Sequence, residues 1–206
     1  YSAPAEDRQI FGIAVPRATY IASAFIKLAA NLDMSKSLEI NFKETNSIDA
    51  INGVVDREFN IGIIRYQTAM EKYFNNLLIT RDLTSHTLWE FEYLLLLSKN
   101  NPLSSKAEVR TDDLSGYVEI THGDISVPSS PFKDNSRENG KKKIYVYERG
   151  SQFSLLCDIP DTYMWVSPVT DIMLDKYQLV QRRCSDETSK YRDVIIYPRG
   201  YRLSEL

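Results

Sequence analysis

The sequence predicts an α/β fold built around parallel strands, and two observations carry that prediction. Near the N-terminus, apolar segments with strand patterning alternate with segments that have helical spacing, and the joints between them are short. Such alternation favours right-handed strand–helix–strand units. The composition agrees, because 43% of the 206 residues are hydrophobic and 26% are charged, a balance typical of a globular chain that can bury a core.

The first half of the chain supplies three strands and two helices. Pro16 ends the first strand, since proline cannot donate a ladder hydrogen bond. Asn46 and Ser47 precede the second helix and are candidates for its N-cap. The predicted strands are residues 11–15, 38–42 and 60–65, and the predicted helices are residues 21–31 and 48–59.

The second half repeats this order less regularly. Residues 88–97 predict a long strand, and its apolar run from Leu94 to Leu97 suits a strand covered on both faces, as in a parallel sheet. We expect the late strand at residues 194–197 to return to the sheet of the first half, which makes that subdomain discontinuous in sequence. The other predicted elements are strands at residues 117–121, 144–147, 163–166 and 179–182 and a helix at 150–158.

Charge and composition exclude several classes of protein. The net charge is −3, from 25 basic and 28 acidic residues, so this chain lacks the basic footprint that binding to a phosphate backbone requires. The longest apolar run is too short to span a bilayer. Cys157 and Cys184 lack the spacing of a zinc or redox motif, and the N-terminus has no intact signal peptide, so we expect a reduced, cytoplasmic protein.

Catalytic motifs are missing from the sequence. No nucleophile elbow, zinc-binding helix, phosphate-binding loop or dinucleotide fingerprint is present, and His86 and His122 lie on different predicted elements. Cys157 falls in an apolar helical stretch, where cysteine usually behaves as a small buried hydrophobe. We therefore expect neither an enzyme nor a bound cofactor or metal.

Polar residues follow the predicted strands where a ligand binds in an open α/β sheet, beyond the carboxyl ends. Hydroxyl-bearing helix starts flanked by two arginines form a plausible receptor for a small carboxylate or phosphate. Two plainer interpretations stay open: Thr19, Asn46 and Ser47 are ordinary caps, and Arg65 pairs with a scaffold carboxylate such as Glu44. The candidate residues are Arg17, Ala18, Thr19, Ser47, Arg65, His122, Gly123 and Asp124.

Several segments carry a family resemblance. Residues 54–64 are close to a "v..g..DiGi" motif, with Asn60 in place of the usual aspartate, and residues 93–103 resemble a strand followed by an "HPLA" turn, with Asn101 where histidine is common. In this order the segments resemble the effector-binding domain of LysR-type transcriptional regulators. The further matching segments are residues 13–19, 38–47, 111–114 and 164–168.

The resemblance implies a fold and a domain organisation. The fold is α/β, with two Rossmann-like subdomains joined by two crossover strands, as in periplasmic-binding proteins of type II. Subdomain I would comprise residues 8–93 plus 192–206 and subdomain II residues 94–191, after a linker or tag remnant at residues 1–7. DNA binding would belong to an N-terminal helix-turn-helix domain absent from this chain, and the family's final helix would begin where the sequence stops.

The resemblance also implies a site and partners. A small effector would bind between the subdomains. An antiparallel homodimer would form with helix residues 21–32 of one copy against the second strand, residues 38–42, or the second helix of the other, so that a charge at an outward-facing Phe25 or Ile26 would weaken it. The whole assembly would be a homodimer or homotetramer. An extracytoplasmic solute-binding protein of a transporter is the alternative, and an enzyme on a similar scaffold is a third possibility. The implied effector contacts are Arg17, Ala18, Thr19, Ser47, Arg65, His122, Gly123, Asp124, Tyr147 and Ser167.

Overall fold

The structure is a computed structural model, and it describes residues 9–33, 35, 37–123 and 142–202. Its contacts divide the chain into two compact units. Unit 1 contains the described residues up to Arg17, Ile21–Glu90 and those from Arg192 onward, and unit 2 contains Ala18–Tyr20 and Phe91–Tyr191. The chain therefore enters unit 2 twice, briefly at Ala18–Tyr20 and then for Phe91–Tyr191, and returns to unit 1 each time.

The elements of the described part follow one another in a fixed order. They are β1 Gln9–Val15, α1 Thr19–Ala30, β2 Leu38–Glu44, α2 Ser47–Val55, β3 Ile61–Gln67, α3 Glu71–Thr80, β4 Leu83–Glu92, β5 Leu94–Ser98, β6 Val118–His122, β7 Lys142–Val146, α4 Gly150–Asp158, β8 Thr162–Val166, α5 Asp171–Lys176, β9 Leu179–Arg182 and β10 Lys190–Pro198. Short 3-10 helices occupy Thr68–Met70, Pro102–Ser105 and Thr111–Gly116.

The first sheet has the order β2-β1-β3-β10-β4. β1 pairs in parallel with β2, from Gln9 opposite Leu38 to Val15 opposite Glu44, and in parallel with β3 on its other side. These are the parallel strand–helix–strand units that the sequence predicts. β10 lies between β3 and β4, which confirms that the last strand returns to the first sheet.

Phe59 connects the helical layer to the first sheet. Its side chain is buried in the core of unit 1, close to Gly12 on β1 and Gly53 on α2. Helix α2 ends at Val55, so Phe59 does not continue it as the periodicity suggested. The reason is local, since Arg57 adopts a left-handed φ of 61° that turns the chain out of the helix. Asn60 then accepts a hydrogen bond from the Gly12 amide at 2.7 Å and so links β1 to the start of β3.

The second sheet has the order β7-β6-β8-β5-β9 and mixed strand directions. β6 is parallel to β7 and β8, whereas β5 is antiparallel to both β8 and β9. The parallel setting expected for Leu94–Leu97 is therefore wrong, although its two-sided burial is right. Leu96 belongs to one core cluster, and Leu95 and Leu97 belong to another. An apolar run reports burial of both faces and carries no information about the direction of the neighbouring strands.

The sequence patterns did not predict two helices, α3 and α5. On α3 only Phe74 and Leu78 are buried, which is too narrow an apolar stripe to stand out in the sequence. On α5 no residue is fully buried over its six positions. Tertiary packing, rather than sequence periodicity, determines both helices.

The contact between Gly53 and Phe59 gives a test of the packing in unit 1. Alanine is favoured over glycine in a helix by about 1 kcal/mol, but a Cβ at Gly53 would lie 2.7 Å from Cδ2 of the Phe59 ring. We expect Gly53→Ala to lower the free energy of unfolding by about 1–2 kcal/mol, because overpacking outweighs helix propensity. Urea denaturation followed by circular dichroism measures it.

Asn52, the exposed neighbour on α2, supplies the control. Asn52→Ala is expected to leave the stability unchanged or to raise it by about 0.5 kcal/mol, since only propensity changes there. Equal stabilisation by both substitutions would contradict the packing argument.

Candidate functional site

The Ser47 hydroxyl clamps the start of α2 onto β3 at the carboxyl end of the first sheet. Its Oγ donates to the Arg65 carbonyl at 2.6 Å and accepts from the Arg65 amide at 2.9 Å. Asn46 is the N-cap, because its Oδ1 accepts from the Asp49 amide at 2.9 Å. The capping interpretation is thus right for Asn46, whereas Ser47 joins two elements of the scaffold.

Arg65 forms a buried, two-pronged ion pair with Asp193 on β10. Its Nε and Nη2 donate to the two Asp193 carboxylate oxygens at 2.7 and 2.6 Å, and the side chains are only 9% and 0% exposed. Its Nη1 lies 3.4 Å from the Arg17 carbonyl oxygen. The scaffold interpretation of Arg65 anticipated such a pairing, and the carboxylate that provides it is Asp193. Most of the charge of this guanidinium is therefore balanced within the protein.

The residues after β1 are packed closely. Ala18 and Thr19 are buried, and Arg17 is half-buried. The Thr19 hydroxyl accepts a hydrogen bond from the Thr170 amide at 3.3 Å, and both of these residues belong to unit 2. Thr19 therefore has a hydrogen-bonding role beyond opening α1.

The end of β6 brings Gly123 and Tyr147 together in unit 2. The Gly123 amide donates to the Val146 carbonyl at 2.9 Å, and a Cβ at Gly123 would lie 2.5 Å from Cζ of the Tyr147 ring. Only glycine permits this approach. Tyr147 is 69% exposed, whereas His122, one residue before Gly123, is buried. Asp124 lies outside the described residues.

Glu148 is a carboxylate at the start of α4 that the sequence reasoning missed. Its carboxylate accepts hydrogen bonds from the backbone amides of Gly150 and Ser151 and from the Ser151 hydroxyl at the start of α4. Those bonds, the one from the hydroxyl foremost, hold the pKa of Glu148 below its usual range, and the charge of His122 acts in the same direction. An acidic residue two positions before a helix is the signal that could have identified it.

Ser167 and Gln152 are among the other polar side chains that are buried in unit 2. Ser167 follows β8, and Gln152 belongs to the first turn of α4. In the described part of the chain, the Gln152 Oε1 has no hydrogen-bond partner. Unit 2 thus combines a positively polarised helix start, its own carboxylate and buried polar groups near the ends of its strands.

Both thiols are poor nucleophiles. Burial raises the pKa of the Cys184 thiol to about 12, and burial also raises the pKa of Cys157, whose thiol donates to the Tyr177 carbonyl at 2.7 Å. Among the described residues, no three His, Cys, Asp or Glu side chains are grouped as ligands for a metal ion. Nor does any helix there combine the length and the apolar character that crossing a lipid bilayer demands.

Comparisons with known proteins find similarity among solved structures alone. No protein-family model and no curated protein matches the chain. Among solved structures it is similar to the effector-binding domain of QuiR in complex with shikimate, at 14% identity and a TM-score of 0.63 over 96% of this chain and 91% of that one.

Two other structures show the same likeness. The regulatory domain of MetR, a LysR family regulator from N. meningitidis, is 14% identical with a TM-score of 0.60, over 93% of this chain and 85% of that one. The cofactor-binding domain of the Cbl transcriptional regulator is 13% identical with a TM-score of 0.64, over 100% and 87%. The chain therefore has the α/β fold of periplasmic-binding-protein type II, in the form found in LysR effector-binding domains, as the sequence predicted.

The ion pair between Arg65 and Asp193 gives a test of what holds this site in place. Asp193→Asn keeps the shape of the side chain but leaves a buried guanidinium without its counter-charge. We expect it to lower the free energy of unfolding by about 3–5 kcal/mol. The double variant Arg65→Met with Asp193→Leu removes both charges, so its free energy of unfolding should fall by less. Urea denaturation compares the variants.

An exposed pair supplies the control for this test. Arg199 Nε and Asp82 Oδ1 are 3.0 Å apart, and their side chains are 66% and 75% exposed. Asp82→Asn should therefore lower the free energy of unfolding by about 1 kcal/mol or less. If Asp193→Asn costs no more than Asp82→Asn, the buried pair does not stabilise the sheet.

Proposed function

We propose that this chain is the effector-sensing, dimerising regulatory domain of a LysR-type bacterial transcriptional regulator. The observation that carries the proposal is the likeness of nearly the whole chain to such domains, one of which holds shikimate. That likeness joins the sequence segments that resemble the family, and it favours a regulator over a solute-binding protein of a transporter. On this proposal the protein is cytoplasmic, catalyses no reaction and reaches DNA through a separate N-terminal domain.

The proposed ligand is a small anionic metabolite, and the subdomain boundaries stay those predicted from the sequence. Two features of the site support the ligand class: amide groups at helix starts, which favour anions, and two arginines, one after β1 and one near the end of β3. Arg17 and Arg65 are the two basic residues among the proposed contacts, and Asp193 already balances the charge of Arg65. The proposed contacts remain Arg17, Ala18, Thr19, Ser47, Arg65, His122, Gly123, Asp124, Tyr147 and Ser167.

Sensing requires that the effector bind one conformation of the protein more tightly than another. The population then shifts toward that conformation by the difference in binding free energy, and the attached DNA-binding domain responds to the shift. No covalent step is involved, which agrees with the raised pKa values of both thiols.

A thermal-shift screen of small carboxylates, shikimate among them, tests the function. A ligand that binds the native state stabilises it by RT ln(1 + [L]/Kd), about 2.7 kcal/mol at a hundredfold excess over Kd. We expect at least one carboxylate to raise the melting temperature in a saturable manner. Turnover of the ligand, or no shift with any anionic metabolite, would contradict the proposal.

Arg17→Gln, paired with Arg81→Gln, tests the site once a ligand is found. Arg17→Gln removes a charge-assisted hydrogen bond worth about 1.5–3 kcal/mol, so calorimetric titration should show about tenfold weaker binding or more. Arg81 is exposed at the end of α3, and its substitution removes the same charge without touching the proposed site. Equal effects of the two substitutions would mean that only net charge matters.

Association through α1 and β2 is a further part of the proposal, and the structure selects the residue that tests it. Phe25 stacks on Phe42 with ring centroids 4.3 Å apart, whereas Ile26 is 66% exposed. Ile26→Glu should therefore weaken the dimer about tenfold or more in sedimentation experiments, because an apolar contact becomes a buried charge. Ile79, 67% exposed on α3, is the matched control, and Ile79→Glu should leave this association unchanged.

A further inference from the structure

Strand β4 forms the edge of the first sheet opposite β2. It is ten residues long, and its positions 85–90 are exposed on both faces of the strand. The exposed side chains include Leu88 at 48% and Trp89 at 37%. In an α/β sheet, strands are normally covered on both faces by helices, so an edge strand this bare is unusual.

Natural proteins usually protect such an edge with lysine, proline, a bulge or a short strand. The sequence from Leu83 to Glu92 contains no lysine, arginine or proline. Among the described residues no strand pairs with the outer edge of β4, which therefore offers main-chain amide and carbonyl groups, flanked by apolar side chains, to another strand. Strand addition at an open edge is a general mode of protein recognition.

We propose that β4 pairs with β4 of a second copy of this chain, antiparallel and about a two-fold axis through Leu88. An isologous contact of this kind requires a segment that is complementary to itself. With Leu88 opposite Leu88 of the second copy, His86 faces Glu90 and Thr87 faces Trp89. The axis therefore carries an apolar pair, and each side of it carries a pair of a histidine and a carboxylate.

The neighbouring registers of this strand pair give less favourable cross-strand side-chain pairs. An axis through Thr87 would set Leu88 against His86, and an axis through Trp89 would set Leu88 against the Glu90 carboxylate. Cross-strand pairs contribute favourably when they are aromatic, aliphatic or oppositely charged, and they lose this contribution when an apolar group meets a polar one. The self-complementarity of β4 thus selects one register as well as one partner.

Contacts within the chain hold the two polar side chains in place for this pairing. His86 Nε2 is 2.8 Å from the Tyr197 hydroxyl on β10, and the Glu90 carboxylate accepts from Arg192 Nη2 at 2.9 Å. A histidine has a second ring nitrogen, and a carboxylate can accept several hydrogen bonds, so both can also take part across the axis. Ordering these side chains in advance reduces the entropy lost on pairing.

This interface is separate from the proposed effector site and from the association proposed for α1 and β2, since β2 is the opposite edge of the sheet. One isologous contact produces a dimer, and two different contacts of this kind on one chain produce a tetramer or a longer assembly. The proposal therefore accounts for a second level of assembly, and it can fail while the sensing function stands.

Disulfide trapping with the intact chain tests both partner and register. In the proposed register the two Leu88 Cα atoms are about 4.5–5.5 Å apart, within the range that a disulfide bridges. Leu88→Cys should therefore form a covalent dimer under mild oxidation. His86→Cys alone and Glu90→Cys alone should not, because each would be four residues, or about 14 Å, from its own copy. A mixture of these two variants should form the mixed disulfide.

The unsubstituted chain is the control, because burial raises the pKa of both native thiols and slows their oxidation. Sedimentation gives a second readout, in which Leu88→Lys should weaken association through this edge about tenfold or more, since two like charges would meet on the axis. Equal trapping of all three single-cysteine variants, or none of Leu88→Cys, overturns the proposal. So does sedimentation of Leu88→Lys identical to that of the unsubstituted chain.

Discussion

The first unit depends on one buried ion pair between residues far apart in the sequence. Arg65 and Asp193 are 128 positions apart, and their side chains meet between the neighbouring strands β3 and β10. Asp193 is fully buried, so its charge is tolerable only because the guanidinium faces it with two hydrogen bonds. The same guanidinium reaches toward the Arg17 carbonyl, and the Arg65 backbone receives the Ser47 hydroxyl. One residue thus positions the ends of β1, α2 and β3.

In both units an acidic side chain of the protein balances a positive charge or a positively polarised group. In unit 1 the Asp193 carboxylate neutralises Arg65, and in unit 2 the Glu148 carboxylate covers the amides at the start of α4. In each unit an acidic side chain of the protein holds the position where an anion is most favourable. On the proposed function, the affinity for an anionic effector would therefore rest on hydrogen bonds and shape more than on uncompensated charge.

Strands and parallel pairing were predictable wherever burial leaves a periodic trace. The order of β1, α1, β2, α2 and β3 follows from spacing alone, as does the extent of α4. The direction of β5 does not, because a run of leucines is compatible with neighbours of either direction. At the site, the sequence identified Ser47 and Arg65 by position but not their partners, since Asp193 is a lone acidic residue in a distant strand. Glu148 was missed although the start of α4 was predicted, because its hydrogen bonds to the Gly150 and Ser151 amides leave no trace in the hydrophobic pattern.

The position of β10 has a consequence for the order of folding. The last strand in the sequence lies inside the first sheet, between β3 and β4, whereas unit 2 is formed by one nearly continuous segment. During synthesis the middle of the chain can therefore complete its core before the first unit has all its strands. Until residues 190–198 emerge, β3 and β4 lack the strand that joins them, and Arg65 lacks its carboxylate. The first sheet therefore stays incompletely paired until β10 has been synthesised.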